Sequence, residues 1–376
     1  MEQSQTADAG PRTPSIADGV GGPARYARWD GVGRGFTVVS TAAPRDLAPG
    51  EVLARVDLAT VCGSDVHSVF GRRSSPAPGV LGHEQVGTVL AVGPGTPPLR
   101  VDGVPIEPGM RVVWSVAASC EQCDRCEADL PQKCRRLLKY GHEPLTDSWV
   151  LSGGFATHCV LQPGTAVVAV PAEVPDTVAA PASCATATVA AVLGAANRSL
   201  AGARVLVAGA GMLGLTAVAM AAQAGALVTA VDPDPARRAS ARRFGAADTR
   251  EPGADQDADS DEFDIAVELS GSSESVRDCL DSLTVGGTLV LAGSVTPSPA
   301  VAVDPERVVR RLLTIVGVHN YRPADLQRAV DFLAAHHTAY PFTELVAGRY
   351  GLDELDAALA SARDGGAPRR AVVPTL

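Results

Sequence analysis

The sequence predicts an α/β protein in two parts, a partly open β-barrel and a doubly wound parallel sheet. Three observations carry that expectation. From about residue 25 to about 180, short alternating stretches punctuated by Pro and Gly read as strands. From about 182 to 320, strands alternate with helical stretches, which implies parallel crossovers. At the head of that second region a glycine-rich turn joins an apolar strand to a helix. A chain of 376 residues is long enough for two cores. With 46% hydrophobic but only 4% aromatic residues, those cores should be built from Ala, Val and Leu.

Taken in order, residues 1–24 are polar, rich in Gly, Pro, Ser and Ala, and expected to be disordered. Val52, Ala54, Val56 and Leu58 then alternate along one strand face, and further strands follow over 86–92 and 111–117. In the second region 204–208 is a buried strand, followed by an Ala-rich helix to about Gly225 and a strand over 227–231. A strand over 263–269, a helix over 272–283 and a strand over 288–292 continue the alternation. Residues 323–336 and 352–363 read as helices and 370–373 as a strand that returns to the first part. The acidic stretch from Glu251 to Glu262 reads as a solvated loop rather than a metal site. No internal repeat is visible.

Charge and hydropathy narrow the function. Forty-two acidic against 32 basic residues give a net charge of −10, which argues against nucleic acid and against an anionic membrane surface as partners. No apolar run reaches the length needed to span a bilayer.

The glycine turn is Gly209-Ala210-Gly211-Met212-Leu213-Gly214. The first glycine permits the tight turn, the second lets backbone approach a pyrophosphate, and the third packs helix onto strand. The helix N-terminus then offers unpaired N–H donors to phosphate. Alone the motif is weak, but the next strand ends in Asp232, 23 residues beyond Gly209, where a carboxylate accepts hydrogen bonds from an adenosine ribose. A carboxylate there repels the 2′-phosphate of NADP, so NAD is expected. Arg237 and Arg238 follow closely and would soften that preference unless they are simply a solvated first helical turn.

Two cysteine-bearing constellations point to metal. Cys120, Cys123, Cys126 and Cys134 on one irregular loop have the spacing of a closed, all-thiolate structural zinc site. A disulfide reading is weaker, since eight cysteines in 376 residues without a secretory apolar segment do not make a disulfide scaffold. Cys62 with His83 supplies two ligands of the kind a catalytic zinc takes, and such a zinc needs three protein ligands and one open position. Ser64, Asp65, His67 and Glu84 lie beside them. Cys184, just before the glycine-turn strand, is a candidate third ligand, though a small buried cysteine is also an ordinary core residue.

Jointly these blocks resemble the zinc-dependent medium-chain alcohol dehydrogenases over roughly residues 25–376. The resemblance implies a GroES-like catalytic domain (25–181 and 321–376, with a zinc lobe at 118–136) and a Rossmann NAD-binding domain (182–320). It implies Cys62, His83 and Cys184 as catalytic zinc ligands and the four lobe cysteines as ligands of a second zinc, two ions per chain. Glu84 would be a carboxylate near the metal, Asp65 would orient His83, and Ser64 with His67 would relay the proton. Thr188 would pack against the nicotinamide and Arg370 would contact the pyrophosphate. The segments 111–120, 130–134, 139–143 and 317–320 are similar to a narrower group, the phosphonate-catabolism-associated alcohol dehydrogenases. The surroundings of Cys184 lack the flanking glycines of well-known members, and residues 1–24 have no family counterpart.

The implied reaction is hydride transfer between an alcohol, as its alkoxide on zinc, and nicotinamide. Zinc lowers the pKa of bound water from about 15.7 to about 7, so alkoxide stabilisation is worth about 11 kcal/mol. Direction depends on cofactor ratio and pH. For the substrate, Trp114 is a candidate pocket wall, and His142, His319 and Arg322 would suit an anion such as a hydroxyalkylphosphonate; each also has a plain packing explanation. Reduction of an activated C=C or C=N bond, or an idle NAD-binding scaffold, are the alternatives; neither is favoured, because no ligand or relay residue is missing. A small alcohol or carbonyl partner, assembly as a homodimer or homotetramer, and a cytoplasmic location complete the expectation.

Overall fold

The computed structural model describes residues 20–254 and 262–376. The expected disorder of 1–24 and the solvated loop at 251–262 therefore fall largely outside the described residues. Two large sheets organise the rest. The first is an eight-strand, curled half-barrel, antiparallel except for the parallel edge pair Val346–Tyr350 and Arg369–Val372. Its path runs Val346–Tyr350, Arg369–Val372, Val52–Thr60, Gln85–Val92, Arg111–Ala118 and Leu138–Lys139, with His158–Leu161 and Thr165–Ala169 added to the side. A small three-strand sheet, Phe36–Ala42, Pro23–Trp29 and Gly79–Val80, flanks it.

Val52–Thr60 is largely buried: Val52, Ala54, Val56 and Ala59 join the barrel core, Leu53 packs with the small sheet, and Leu58 joins the core shared with the second part of the chain. Trp29, Trp114, Tyr140 and Phe155 fill the barrel interior without exposure. Trp114 is thus a core residue and not the wall of a substrate pocket: an added Cβ at Gly87 would lie 3.2 Å from its ring.

The second sheet has six parallel strands in the order Asp248–Arg250, Leu227–Val231, Arg204–Ala208, Phe263–Glu268, Leu283–Leu291 and Thr314–Gly317. In chain order this is 3-2-1-4-5-6, the doubly wound Rossmann arrangement, with its switch point between Arg204–Ala208 and Phe263–Glu268. The apolar run Val205–Ala208 suits a strand covered on both faces. Helix Met212–Gln223, mostly Ala, Leu, Val and Met, is buried almost all round. Asp234 and Ser272 cap the helices Pro235–Arg243 and Ser273–Asp281 by accepting from Ala236 N and Ser275 N.

One helix near the expected boundary packs against both parts. Helix Pro323–His336, assigned above to the barrel side, buries Leu326, Ala329, Val330 and Leu333 against helix Ala185–Ala195 and shares its core with the parallel sheet. The chain rejoins the barrel at Val346–Tyr350 and at Arg369–Val372, whose Ala371 and Val372 pair with Thr60 and Ala59. That return sets C-terminal arginines beside the residues following Thr60. Among the described residues no single helix is long and apolar enough to cross a membrane.

Candidate metal and dinucleotide site

Three segments meet in the cleft between the sheets. Cys62 is the N-cap of the short helix Gly63–Val69, and its backbone N–H donates to Asp65 Oδ2 at 2.9 Å. That bond fixes the Asp65 carboxylate, whose other oxygen lies 3.5 Å from His83 Nδ1. His83 and Glu84 precede the strand Gln85–Val92, and Cys184 precedes helix Ala185–Ala195. Ser183 Oγ donates to the His83 carbonyl at 3.3 Å and accepts from Gln85 N at 3.2 Å, tying the Cys184 turn to the His83 turn across the cleft. Tyr321 fastens the same turn by donating to the Ser183 carbonyl while accepting from Val116 N.

As a result one ligand atom from each of Cys62, His83 and Cys184 lies within 4.8 Å of the others. Tetrahedral zinc with sulfur and nitrogen ligands needs separations of about 3.5–3.8 Å, so side-chain adjustment alone closes the site. The electrostatics suit a cation. The Cys184 thiol donates toward Cys62 and, with Arg369 and His83, holds the Cys62 thiol well below its usual range against the opposing effect of burial. Burial disfavours a charged ring at His83, yet Asp65 and Cys62 outweigh it and raise His83 to about 10.

Glu84 is fully buried and accepts from Thr60 Oγ1 at 2.7 Å. Burial pushes its carboxyl upward, and the Arg369 guanidinium opposes this through contacts of 2.6 and 2.8 Å, so the two form a bidentate ion pair. Arg369 also reaches Cys62 Sγ at 3.5 Å. This arginine was not anticipated from sequence. Its neighbour Arg370, expected at a pyrophosphate, instead binds Ser361 Oγ and the carbonyls of Ser361, Gly365 and Ala367, beyond the end of helix Leu355–Arg363. Adjacent strand residues face opposite ways, and Arg369 is the one facing the site.

Ser64 Oγ is 3.1 Å from His83 Nε2, and His67 lies one helical turn further with its buried Nδ1 unpartnered. Burial and then Arg72 lower His67 from its usual range. Thr188 sits one turn beyond Cys184, partly exposed, with its N–H on the Cys184 carbonyl. Among the anion candidates, the His142 ring lies tilted against that of His83, centroids 4.8 Å apart, whereas His319 lies across the cleft beside Lys133. Arg322 is not free for an anion: it pairs with Asp129 at 2.6 Å and Asp325 at 3.8 Å.

The lobe cysteines form a second cluster, again with ligand atoms within 4.8 Å of one another. Cys123 Sγ is 3.6 Å from Cys126 Sγ and 3.9 Å from Cys134 Sγ, close to the ~3.8 Å that a tetrahedral thiolate zinc sets between its ligands. Backbone N–H groups of Cys120 and Arg136 point at Cys134 Sγ at 3.2 and 3.3 Å, as donors do around metal thiolates.

At the switch point, Gly209 has φ +96 and an added Cβ at Gly214 would lie 1.7 Å from its carbonyl oxygen. No protein atom lies within 4 Å of such a Cβ at Gly211, so that face is open to a ligand. The N–H groups of Met212, Leu213 and Gly214, in the first turn, have no intrahelical acceptor. Asp232 accepts from Ala210 N at 2.8 Å and Asp234 N at 2.9 Å, and Arg237 stands 3.8 Å from it, half exposed. Arg238 turns back onto the carbonyls of Asp232 and Pro233.

Comparison with known proteins agrees with this architecture. Residues 48–172 match the alcohol dehydrogenase GroES-like domain and residues 213–335 the zinc-binding dehydrogenase domain. The L-threonine 3-dehydrogenase of Chelativorans sp. (strain BNC1) is 31% identical over 290 residues, covering 73% of this chain and 77% of the relative. The crystal structure of an alcohol dehydrogenase from Thermotoga maritima superposes with a TM-score of 0.86 at 26% identity, covering 93% of this chain and 99% of that one. A zinc-binding dehydrogenase from Sinorhizobium meliloti 1021, bound to NADP, gives 0.79 at 25% identity over 94% and 99%.

Proposed function

This chain belongs to the zinc-dependent medium-chain alcohol dehydrogenase family, and from that premise we propose that it interconverts a small polar alcohol and its carbonyl compound with NAD. The observation that carries the reading is the convergence of Cys62, His83 and Cys184 to within 4.8 Å in the cleft that the glycine turn also faces. Zinc held by these three supplies Lewis acidity that brings an alcohol hydroxyl toward a neutral pKa.

The chain's own residues do the rest. Asp65 fixes the His83 ring, and the Glu84–Arg369 pair holds Cys62 in place from behind. Ser64 takes the hydroxyl proton beside His83, and His67, one turn along, carries it outward. Gly211 and the first turn of Met212–Gln223 hold the pyrophosphate, Asp232 the adenosine ribose, and Thr188 the nicotinamide. Asp232 favours NAD, and the half-exposed Arg237 beside it leaves room for some use of NADP.

The L-threonine relative acts on a small charged hydroxy compound, and a hydroxyalkylphosphonate is of the same kind. The intact Ser64 and His67 favour alcohol and carbonyl chemistry over C=C or C=N reduction and over an idle scaffold. The edge strand Thr314–Gly317 is exposed and unpaired on its outer side, with Ile315 and the nearby Val309 and Leu312 exposed, which suits pairing with a second copy. Eight free thiols suit a reducing compartment such as the cytoplasm. Screening alcohols, aldehydes and hydroxyphosphonates for a change in reduced-nicotinamide absorbance tests the reading. Turnover of one class with NAD is the expected result, and none with either coenzyme in zinc-loaded protein refutes it.

A further inference from the structure

Only two of the 32 Lys and Arg residues are lysines, Lys133 and Lys139, and both lie at the candidate site. Lys139, half-buried, ends the short strand Leu138–Lys139 opposite Ala117. Its carbonyl accepts from His142 N at 3.1 Å, and the His142 ring in turn lies tilted against that of His83, so this tight turn abuts the zinc-ligand cluster. Lys133 Nζ, from the lobe, meets His319 Nδ1 at 2.5 Å from the opposite side of the cleft. Arg73 closes the third side: its N–H donates to the His67 carbonyl at 3.0 Å, immediately after the relay helix.

These cations have no counter-ion of their own. Among the described residues no carboxylate lies within ion-pair distance of Arg73, Lys133 or Lys139. The nearby Glu143 accepts from the Lys139 backbone N–H instead, at 2.8 Å. Nδ1 of His142 is buried with no partner. Burial and the repulsion of Arg73 both push Lys139 down from its usual range, while Cys184 and Cys62 oppose that from the metal side. In a chain of net charge −10, holding the half-buried Arg73 and Lys139 unpaired beside an exposed Lys133 is costly unless a ligand brings the anion.

We infer that Lys139 and Arg73, flanked by Lys133, His142 and His319, form a subsite for an oxyanion on the substrate, which is a short hydroxyalkyl compound ending in a phosphonate, phosphate or carboxylate. This rests on the dehydrogenase reading for the hydroxyl end, and the subsite supplies the class of the other end. It also orients the chain, because an anchored head group leaves only a short tether's choice of which carbon presents its hydroxyl to the cleft.

The test uses the full-length zinc-loaded protein and three alcohols of matched length: 2-hydroxyethylphosphonate, 3-hydroxypropanoate and neutral propan-1-ol. At least one anionic alcohol should exceed the neutral one by tenfold or more in kcat/KM, and the preferred arm names the head group. Lys139→Met and, on a separate element, Arg73→Gln should each cut that preference at least fivefold, chiefly through KM, with thermal unfolding confirming that each variant is folded. Methylphosphonate, titrated calorimetrically, should bind the wild type and bind both variants more weakly. Equal use of charged and neutral alcohols, or a preference that survives both substitutions, overturns the subsite and leaves the dehydrogenase reading standing. Methylphosphonate binding that both substitutions weaken, in a protein that oxidises no alcohol, supports the subsite and removes only the dehydrogenase reading.

Discussion

Substituting the second and third glycines of the turn one at a time separates fold from cofactor binding. At Gly214 a methyl group would stand 1.7 Å from the Gly209 carbonyl oxygen and 2.7 Å from its carbon, both of them backbone atoms. Ordinary contacts are about 3.5–4.0 Å, so helix Met212–Gln223 must move bodily off the strand. Gly214→Ala should therefore cost at least the upper end of the overpacking range, about 3 kcal/mol. At roughly 2–4 °C per kcal/mol, that lowers Tm by about 6–12 °C. Gly211 is different: its φ of −79 suits any L-residue, and nothing in the protein lies within 4 Å of the added methyl. Gly211→Ala should change stability by less than about 0.5 kcal/mol. It should nevertheless weaken NADH about tenfold or more, some 1.4 kcal/mol, because the methyl occupies the approach of the pyrophosphate. Thermal unfolding and NADH fluorescence titration on the same samples read both quantities. A Gly211→Ala protein that binds NADH like wild type, or loses as much Tm as Gly214→Ala, refutes the assignment of that face to the cofactor.

Three further outcomes follow from the site. Asp232→Gly should shift the kcat/KM ratio toward NADP by removing the carboxylate that faces a 2′-phosphate; unchanged selectivity contradicts that role. His67 must be neutral to accept a proton during alcohol oxidation, and burial with Arg72 lowers its pKa, so activity should persist below pH 6.5 before falling with acid. Arg72→Gln should move that acid limb upward, and a limb that stays put removes His67 from the relay. Arg369→Met leaves the Glu84 carboxyl fully buried without its partner, a loss of about 3–5 kcal/mol in urea unfolding, part of which Glu84→Gln in the same chain should restore.

What sequence made legible was governed by local chemistry. The glycine turn is read from spacing because each glycine answers a separate steric demand within six residues. The lobe cysteines are read the same way, since one loop carries all four. The approach of Cys184 to Cys62 and His83 is different. It depends on Ser183 and Tyr321 holding turns that are far apart in the chain, which no pattern of spacing reveals. The C-terminal arginines show what a strand hides from a reader of sequence. With side chains alternating between faces, Arg369 lies on Glu84 and Arg370 on carbonyls at a helix end, and nothing in the sequence tells the two apart. Trp114 was open to either reading because Arg111–Ala118 is buried on both faces, so alternation does not say which side chains line a cleft. Helix Pro323–His336 lies against both parts, packing chiefly on Ala185–Ala195 and also touching Arg111–Ala118 and Thr165–Ala169, so its apolar stripe alone does not assign it. The two lysines were visible throughout, but their meaning required knowing that they face one cleft with no carboxylate within ion-pair distance among the described residues.

The account stands on two metal positions of unlike purpose, one closing the lobe and one in the cleft beside the coenzyme. Zinc per chain, measured by atomic emission on wild type and on Cys62→Ser, tests this most directly. The account predicts about two ions in the wild type and about one in the variant, with turnover lost while the lobe cluster of Cys120, Cys123, Cys126 and Cys134 keeps its metal. A single tightly held zinc in the wild type that is retained unchanged in Cys62→Ser would contradict it.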